Sequence, residues 1–386
     1  MRWFYRCPTC GAEYEMEPDR YLCSACAPKT LPDRPLEGVL ECVWEGSWKK
    51  GDRSIPLPVE PEWFPPVPVG NTPLWTPERL RAQTGLTGLW IKDDTCQPTG
   101  SFKDRASFLV AAYARKQGIR EIALASTGNA ASSMAGIGAA AGLKITVFLP
   151  KAAPAAKRIQ VLQYGAELRP VDGTYDKAFD ESLAYTNATG TLSRNTAYNP
   201  LTIEGKKTVS FEILADLEAR RAPAPDHVFV PTGDGVILAG IYKGFEDLVR
   251  LGRIPKVPVI WACQAKGSSA IARAFQSGGF GDPVPSATIA DSISVDIPRN
   301  GTLALAKLKK HDGRAVTVTD EEILSAQRTL AGTTGLFAEP SSSAAVAGFF
   351  KVKSELDPSS TVVLLVTGSG LKDVKSAAHG LGISER

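Results

Sequence analysis

A chain of 386 residues with 43% hydrophobic and 22% charged content is an ordinary globular protein, long enough for two domains. The net charge of +3 comes without any dense Lys/Arg block, so nucleic-acid or anionic-membrane binding has no compositional support. Met1–Arg6 lacks the apolar run of a signal peptide, and no run elsewhere is long enough to span a membrane.

Seven cysteines, four of them in two Cys-x-x-Cys pairs, suit a reduced cytoplasmic protein rather than a disulfide scaffold. Cys7-Pro8-Thr9-Cys10 and Cys23-Ser24-Ala25-Cys26 stand twelve residues apart. Two such knuckles offer four thiolates to one tetrahedral structural zinc ion, with reduced, metal-free thiols as the alternative. Little basic charge flanks them, which favours a structural cap over nucleic-acid recognition. Cys42 and Cys263 read as core thiols, and Cys96, close to the run around Lys103, as a buried packing thiol with pocket lining as the alternative. His227, His311 and His379 are too scattered for a metal cluster or a triad and read as structural or surface residues.

Residues 31–75 are rich in proline, from Pro56 and Pro58 to Pro68 and Pro73, which predicts an extended arm. From about residue 86, short apolar strands alternate with helix-like stretches. The strands are Glu121–Ser126, Lys144–Leu149, His227–Pro231, Val257–Cys263 and Thr361–Thr367. That alternation predicts an α/β fold with a parallel, doubly wound sheet.

Four Gly/Ser/Thr turns fall at the carboxyl ends of these strands, where open α/β sheets bind ligands. The first follows Leu89-Trp90-Ile91 and runs Gln97-Pro98-Thr99-Gly100-Ser101-Phe102-Lys103-Asp104-Arg105, with a helix pattern starting at Lys103. A lysine at such a mouth can form a Schiff base with a carbonyl cofactor, because burial and a positive helix N-terminus favour the nucleophilic neutral amine. The second turn, Ser126-Thr127-Gly128-Asn129, precedes the alanine-rich helix 130–141. Its hydroxyls and amides suit a carboxylate, and the Asn129 amide suits a phenolic oxygen. The third, Gly233-Asp234-Gly235-Val236-Ile237, opens a helix and forms a phosphate cradle of main-chain N–H groups. The fourth is Thr367-Gly368-Ser369-Gly370-Leu371-Lys372-Asp373. A Gly-x-Gly before a helix is by itself more often only a tight turn. Together, an amine, a phosphate cradle, a carboxylate loop and a ring-nitrogen partner are what pyridoxal phosphate requires.

From Gly70-Asn71-Thr72-Pro73-Leu74 to Asp373 the chain resembles the threonine synthases of the tryptophan-synthase-β-like (fold type II) family of pyridoxal-phosphate enzymes. Pro98–Arg105 resembles the family's cofactor-lysine motif and Ser126–Asn129 its asparagine loop. Asn199-Pro200 with Glu204-Gly205-Lys206-Lys207-Thr208 resembles the stretch before a substrate-domain helix, and Thr367–Asp373 the C-terminal signature.

The resemblance implies that Lys103 tethers the cofactor and shuttles protons. It also implies that Asn129 contacts the 3′ oxygen, that 233–237 hold the phosphate, and that Thr367 bonds the pyridine nitrogen. Ser126, Thr127, Gly128, Asn195 and Thr196 are then substrate-side residues. A hydroxyl at the ring nitrogen makes a milder electron sink than a carboxylate, which suits elimination and replacement better than transamination. The implied architecture is two doubly wound open sheets preceded by a four-cysteine, zinc-ribbon-like segment over 1–30 and the arm over 31–75. A large cofactor domain takes 76–105 and 206–386, and a smaller substrate-side domain 106–205. A homodimer acting on a small amino acid is implied as well.

The sequence departs from the threonine-synthase pattern at the substrate. An arginine that holds the substrate phosphate usually follows the Asn-Pro pair, where this chain has Thr202. Ala130 stands for a threonine, Ser369 for a histidine, and the phosphate loop lacks the usual Asn. Lys206, Lys207, Arg158 and Arg194 are candidates for replacement charge. Phosphohomoserine is the first expected substrate. The departures also point to a β-eliminating or β-replacing enzyme of dehydratase, ammonia-lyase or cysteate-synthase type. Intact Lys103 and Asn129 argue against a third option, an inactive cofactor-binding protein. Glu339-Pro340-Ser341-Ser342-Ser343 precedes another alanine-rich helix and is expected either to cap it or, as the resemblance implies, to put Glu339 on the cofactor or substrate side.

Overall fold

The computed structural model describes residues 1–46, 53–151 and 155–383. The chain divides into two compact units, the first of Met1–Thr30, Glu37–Val69 and Lys103–Lys206 and the second of Leu31–Leu36, Gly70–Phe102 and Lys207–Arg386.

The first unit is built on a four-stranded parallel sheet in the order Glu167–Val171, Lys144–Pro150, Glu121–Ala125, Leu192–Ser193. Its central strands bury Ile122, Leu124, Ile145 and Val147. The helices Lys103–Lys116 and Asn129–Ala141 follow the first turn and the second. Both are rich in Ala, and small side chains let them pack closely, down to a 2.7 Å hydrogen bond between the Ser107 and Ser133 hydroxyls. A separate antiparallel sheet joins Glu13–Tyr14, Arg2–Arg6 and Glu41–Glu45. The strand Glu41–Glu45 lies inside the proline-rich stretch. No proline interrupts the chain between Pro35 and Pro56, and Cys42 and Trp44 are there to be buried.

In the second unit a six-stranded sheet runs Arg314–Val318, Val259–Ala265, His227–Pro231, Val362–Val366, Leu89–Asp93, Leu74–Trp75. All are parallel except the last, an antiparallel edge. Val362–Val366 is apolar throughout and buried at every residue, as a central parallel strand covered on both faces must be. Phe229 stacks on Trp261 with centroids 5.3 Å apart, and Phe349 meets Phe229 edge-on.

The helices Val236–Arg250 and Gly301–Lys310 are bound together through Glu246. Its carboxylate takes Lys307 at 2.6 Å, His311 at 2.7 Å and Lys310 at 2.9 Å. Burial opposes the charge, yet these three partners hold the carboxyl well below the usual range. Among the described residues no helix is long and apolar enough to cross a membrane.

Candidate active site

Lys103 is the first residue of a 14-residue helix, where the sequence spacing places it, and it is half-buried. The chain enters the first unit at this residue. Asn129 opens the next helix and is buried. Between the strand Glu121–Ala125 and Asn129, the Ser126 hydroxyl accepts the Gly128 and Ala131 N–H groups, both at 3.2 Å. That shapes the loop around Thr127 and Gly128.

Asn195 is buried and turned inward. Its Oδ1 accepts the Ala125 N–H at 2.7 Å, and its Nδ2 donates to the Ser182 hydroxyl at 2.8 Å. Thr196 is half-buried and accepts Arg194 Nη1 at 2.6 Å. Arg194 also donates from Nε to the Ser107 hydroxyl at 3.3 Å, one helical turn beyond Lys103.

The expected replacement charges fall in different places. Lys206 is fully buried and donates to the Thr202 carbonyl at 3.0 Å. Lys207, in the second unit, is fully buried against Asp247 at 2.8 Å, and Lys243 takes the other Asp247 oxygen at 2.6 Å. Arg158 is half-buried on the helix Ala155–Gln163. Thr202 is itself buried, with its hydroxyl given to the Asn199 carbonyl at 2.7 Å.

The second unit brings the other two turns to the carboxyl ends of adjacent strands, His227–Pro231 and Val362–Val366. Gly235 is left-handed, with φ +88, and a Cβ there would meet Ala304 Cβ at 2.8 Å. At Gly233 a Cβ would meet the Ile293 Cα at 2.8 Å. Backbone alone fits these two positions, which is what a main-chain phosphate cradle at the start of the 15-residue helix Val236–Arg250 needs. The loop is locked from outside by Asn300. The Asn300 N–H donates to the Asp234 carbonyl at 3.0 Å and its Nδ2 to the Gly235 carbonyl at 3.1 Å. Asp234 also accepts the Val236 N–H on Oδ1 at 3.1 Å, while Val236 and Ile237 are buried.

Thr367 follows the strand Val362–Val366 directly and is buried, with its hydroxyl 2.9 Å from that of Ser342. The Ser342 hydroxyl also accepts the Thr367 N–H at 3.1 Å. The Phe102 N–H donates to the Thr367 carbonyl at 2.8 Å, which ties the residue before the lysine to this turn. Glu339 lies so close to Gly368 that a Cβ there would meet its Oε1 at 2.6 Å. Glu339 begins the helix Pro340–Val352 without a side-chain cap. Instead, its carbonyl takes the Ser343 hydroxyl at 3.1 Å.

Sequence reasoning missed Ser342 as the partner of Thr367 and Asn300 as the brace of the 233–237 loop. The only signal was the run of serines 341–343, which reads as a capping element. Nothing in the sequence around Asn300 marks it.

The sulfurs of Cys7, Cys10, Cys23 and Cys26 all lie within 4.8 Å of one another, a spacing that suits four thiolates on one tetrahedral ion. The Tyr14 hydroxyl sits 3.2 Å from Cys23 Sγ. Burial raises the Cys23 thiol, but hydrogen bonds from Tyr14 and from the Cys26 and Ala25 amides outweigh it and bring the thiol down to about 6. Hydrogen bonding with Cys10, followed by burial, pushes Cys26 up to about 12. Cys23 is thus the thiol most readily ionised, and a metal ion on the cluster would displace the proton that Cys26 holds.

Of the other cysteines, Cys42 and Cys263 are buried as expected, but Cys96 is exposed. It ends the short 3-10 turn Asp94–Cys96 at the surface, with its thiol 3.4 Å from Asp93 Oδ2. His311 belongs to the Glu246 cluster, and the Trp261 indole donates to His227 at 3.3 Å.

Residues 67–368 match the model of the pyridoxal-phosphate dependent enzyme family. The chain belongs to this family. It is 35% identical to the threonine synthase of Methanosarcina acetivorans over 95% of this chain and 92% of that protein. It is 34% identical to that of Methanocaldococcus jannaschii over 96% and 93%. Among solved structures, the processed form of threonine deaminase isoform 2 from Solanum lycopersicum superposes with a TM-score of 0.68 at 20% identity. That match covers 82% of this chain and 88% of that one, a likeness of fold. This pyridoxal-phosphate enzyme is a lyase of the threonine-synthase type with the fold type II architecture, and pyridoxal phosphate is its cofactor.

Proposed function

We propose that this lyase eliminates phosphate from O-phosphohomoserine and adds water to give threonine. The observation that carries the reading is the near full-length likeness to threonine synthases, 34–35% identical over 95–96% of the chain. When bound, pyridoxal phosphate supplies an electron sink for charge developing at the carbon next to the substrate's amine. Lys103 Nζ holds the cofactor and moves protons to and from the substrate carbons. Asn129 would donate to the 3′ oxygen, Gly233–Ile237 would hold the phosphate, and Thr367, backed by Ser342, would partner the ring nitrogen. Ser126, Thr127, Gly128 and Thr196 contact the amino acid, and Asn195 supports their backbone.

One observation favours a second reading, β-elimination from a serine- or threonine-like amino acid. Thr202 is neutral and its hydroxyl proton is already given to the Asn199 carbonyl, so this position offers a substrate phosphate neither charge nor a donor. Incubation with a panel of amino acids and phosphoamino acids separates the two. Phosphate with threonine from phosphohomoserine supports the first, and ammonia with a 2-oxo acid from serine or threonine supports the second.

The protein works in this reading as a cytoplasmic homodimer with zinc on Cys7, Cys10, Cys23 and Cys26. Metal analysis of protein purified under reducing conditions without chelators is expected to find one zinc per chain. Chelation should loosen the N-terminal segment and leave cofactor absorbance nearly intact. Metal-free protein from such a preparation would end the zinc proposal.

A further inference from the structure

The chemistry described so far leaves the Cys-paired segment idle, yet it is bolted to the substrate-side loops. Tyr21, two residues before Cys23, is buried, and its hydroxyl accepts the Ser193 N–H at 2.8 Å. Its ring lies on Tyr198 with centroids 4.8 Å apart. Ser193 ends the two-residue edge strand Leu192–Ser193, which has little ladder of its own to hold it.

From Ser193 the hydrogen bonds run on. Its hydroxyl accepts the Asn195 N–H at 3.3 Å, and its carbonyl accepts Asn199 Nδ2 at 2.7 Å. Asn195 in turn accepts the Ala125 N–H at 2.7 Å, and Ala125 is the residue before the Ser126–Asn129 loop. A second bolt reaches the helix that Lys103 opens, where the Tyr113 hydroxyl donates to the Met16 carbonyl at 2.6 Å.

We infer that Tyr21 is a positioning residue for substrate binding: its hydroxyl sets the Ser193–Asn199 backbone and, through Asn195, the Ala125–Asn129 corner. The Cys-paired segment thus governs how tightly the amino acid is held without touching it. The inference rests on the reading of Ser126–Asn129 and Thr196 as the substrate side. Its physical basis is a buried main-chain donor whose acceptor comes from another segment. Without that acceptor, the Ser193 N–H must stay unsatisfied or the strand end must move.

The test is Tyr21→Phe in the holoenzyme, which keeps the ring on Tyr198 and removes only the oxygen. Amide exchange at Ser193 should quicken about tenfold. KM for O-phosphohomoserine should rise about five- to tenfold, with kcat within about twofold and cofactor affinity unchanged. Tyr113→Phe removes a hydrogen bond to the same segment, at the Met16 carbonyl rather than at Ser193, and it should leave KM as it was. Faster exchange with unchanged KM, unchanged exchange, or an equal KM rise in both variants overturns the inference. If the wild-type enzyme acts on a different amino acid, the phosphohomoserine reading fails. The same comparison is then read with that amino acid, so the two failures stay distinct.

Discussion

Lys103→Ala is expected to lower turnover by about a thousandfold or more, because in the proposed function one side chain is both tether and base. Borohydride treatment, which fixes a lysine-bound cofactor to the chain, should no longer do so. Noncovalent affinity should survive in part, since the proposed phosphate cradle and ring-nitrogen hydroxyl belong to other turns. The position explains the size of the effect. Lys103 starts its helix half-buried, and the next turn of the same face is fixed by Ser107 against Ser133 and Arg194. No other lysine stands in the run 97–105, and Lys206 is packed against Thr202. A variant with normal turnover would end the reading of this chain as a lysine-tethered lyase.

Gly235→Val is expected to raise the dissociation constant for pyridoxal phosphate by about a hundredfold. At φ +88 a β-branched residue is strained by about 1–3 kcal/mol. Its Cβ would also press on Ala304 at 2.8 Å and Ile271 at 3.1 Å. Gly235→Ala, with the strain but less bulk, should fall between the wild type and Val, which separates a local effect from a failure to fold. Asp234→Asn should be mild or slightly favourable. An asparagine oxygen can still accept the Val236 N–H, while a carboxylate is removed from beside the dianion that the proposed cradle would hold. A titration in which Asp234→Asn harms affinity more than Gly235→Val would give the loop another task, such as holding a substrate amine. That result would favour the amino-acid lyase reading.

The elements legible in the sequence were those carrying their own signal over a few residues. The run around Lys103 breaks at Pro98 and Gly100 and then turns helical, and the helix does start at the lysine. Val362–Val366 and His227–Pro231 are apolar enough to read as buried strands. Edge strands were not legible. Glu167–Val171 is half-exposed and carries Pro170, Arg314–Val318 alternates in polarity, and Leu192–Ser193 is two residues long. Cys96 is exposed because its turn lies at the surface, which cysteine's usual preference for burial does not foretell.

Which chemical groups stand at the strand ends is written in short stretches of chain: an amine, an amide, a glycine cradle and a hydroxyl. Strand-to-helix turns are encoded locally by Gly, Pro and periodicity, so these groups can be read without a fold. What supports them cannot. Ser342 meets Thr367, Asn300 braces Asp234, and Tyr21 reaches Ser193 across gaps of 25, 66 and 172 residues. Those pairings depend on how sheets and helices pack, and packing is set by the whole core rather than by any single segment.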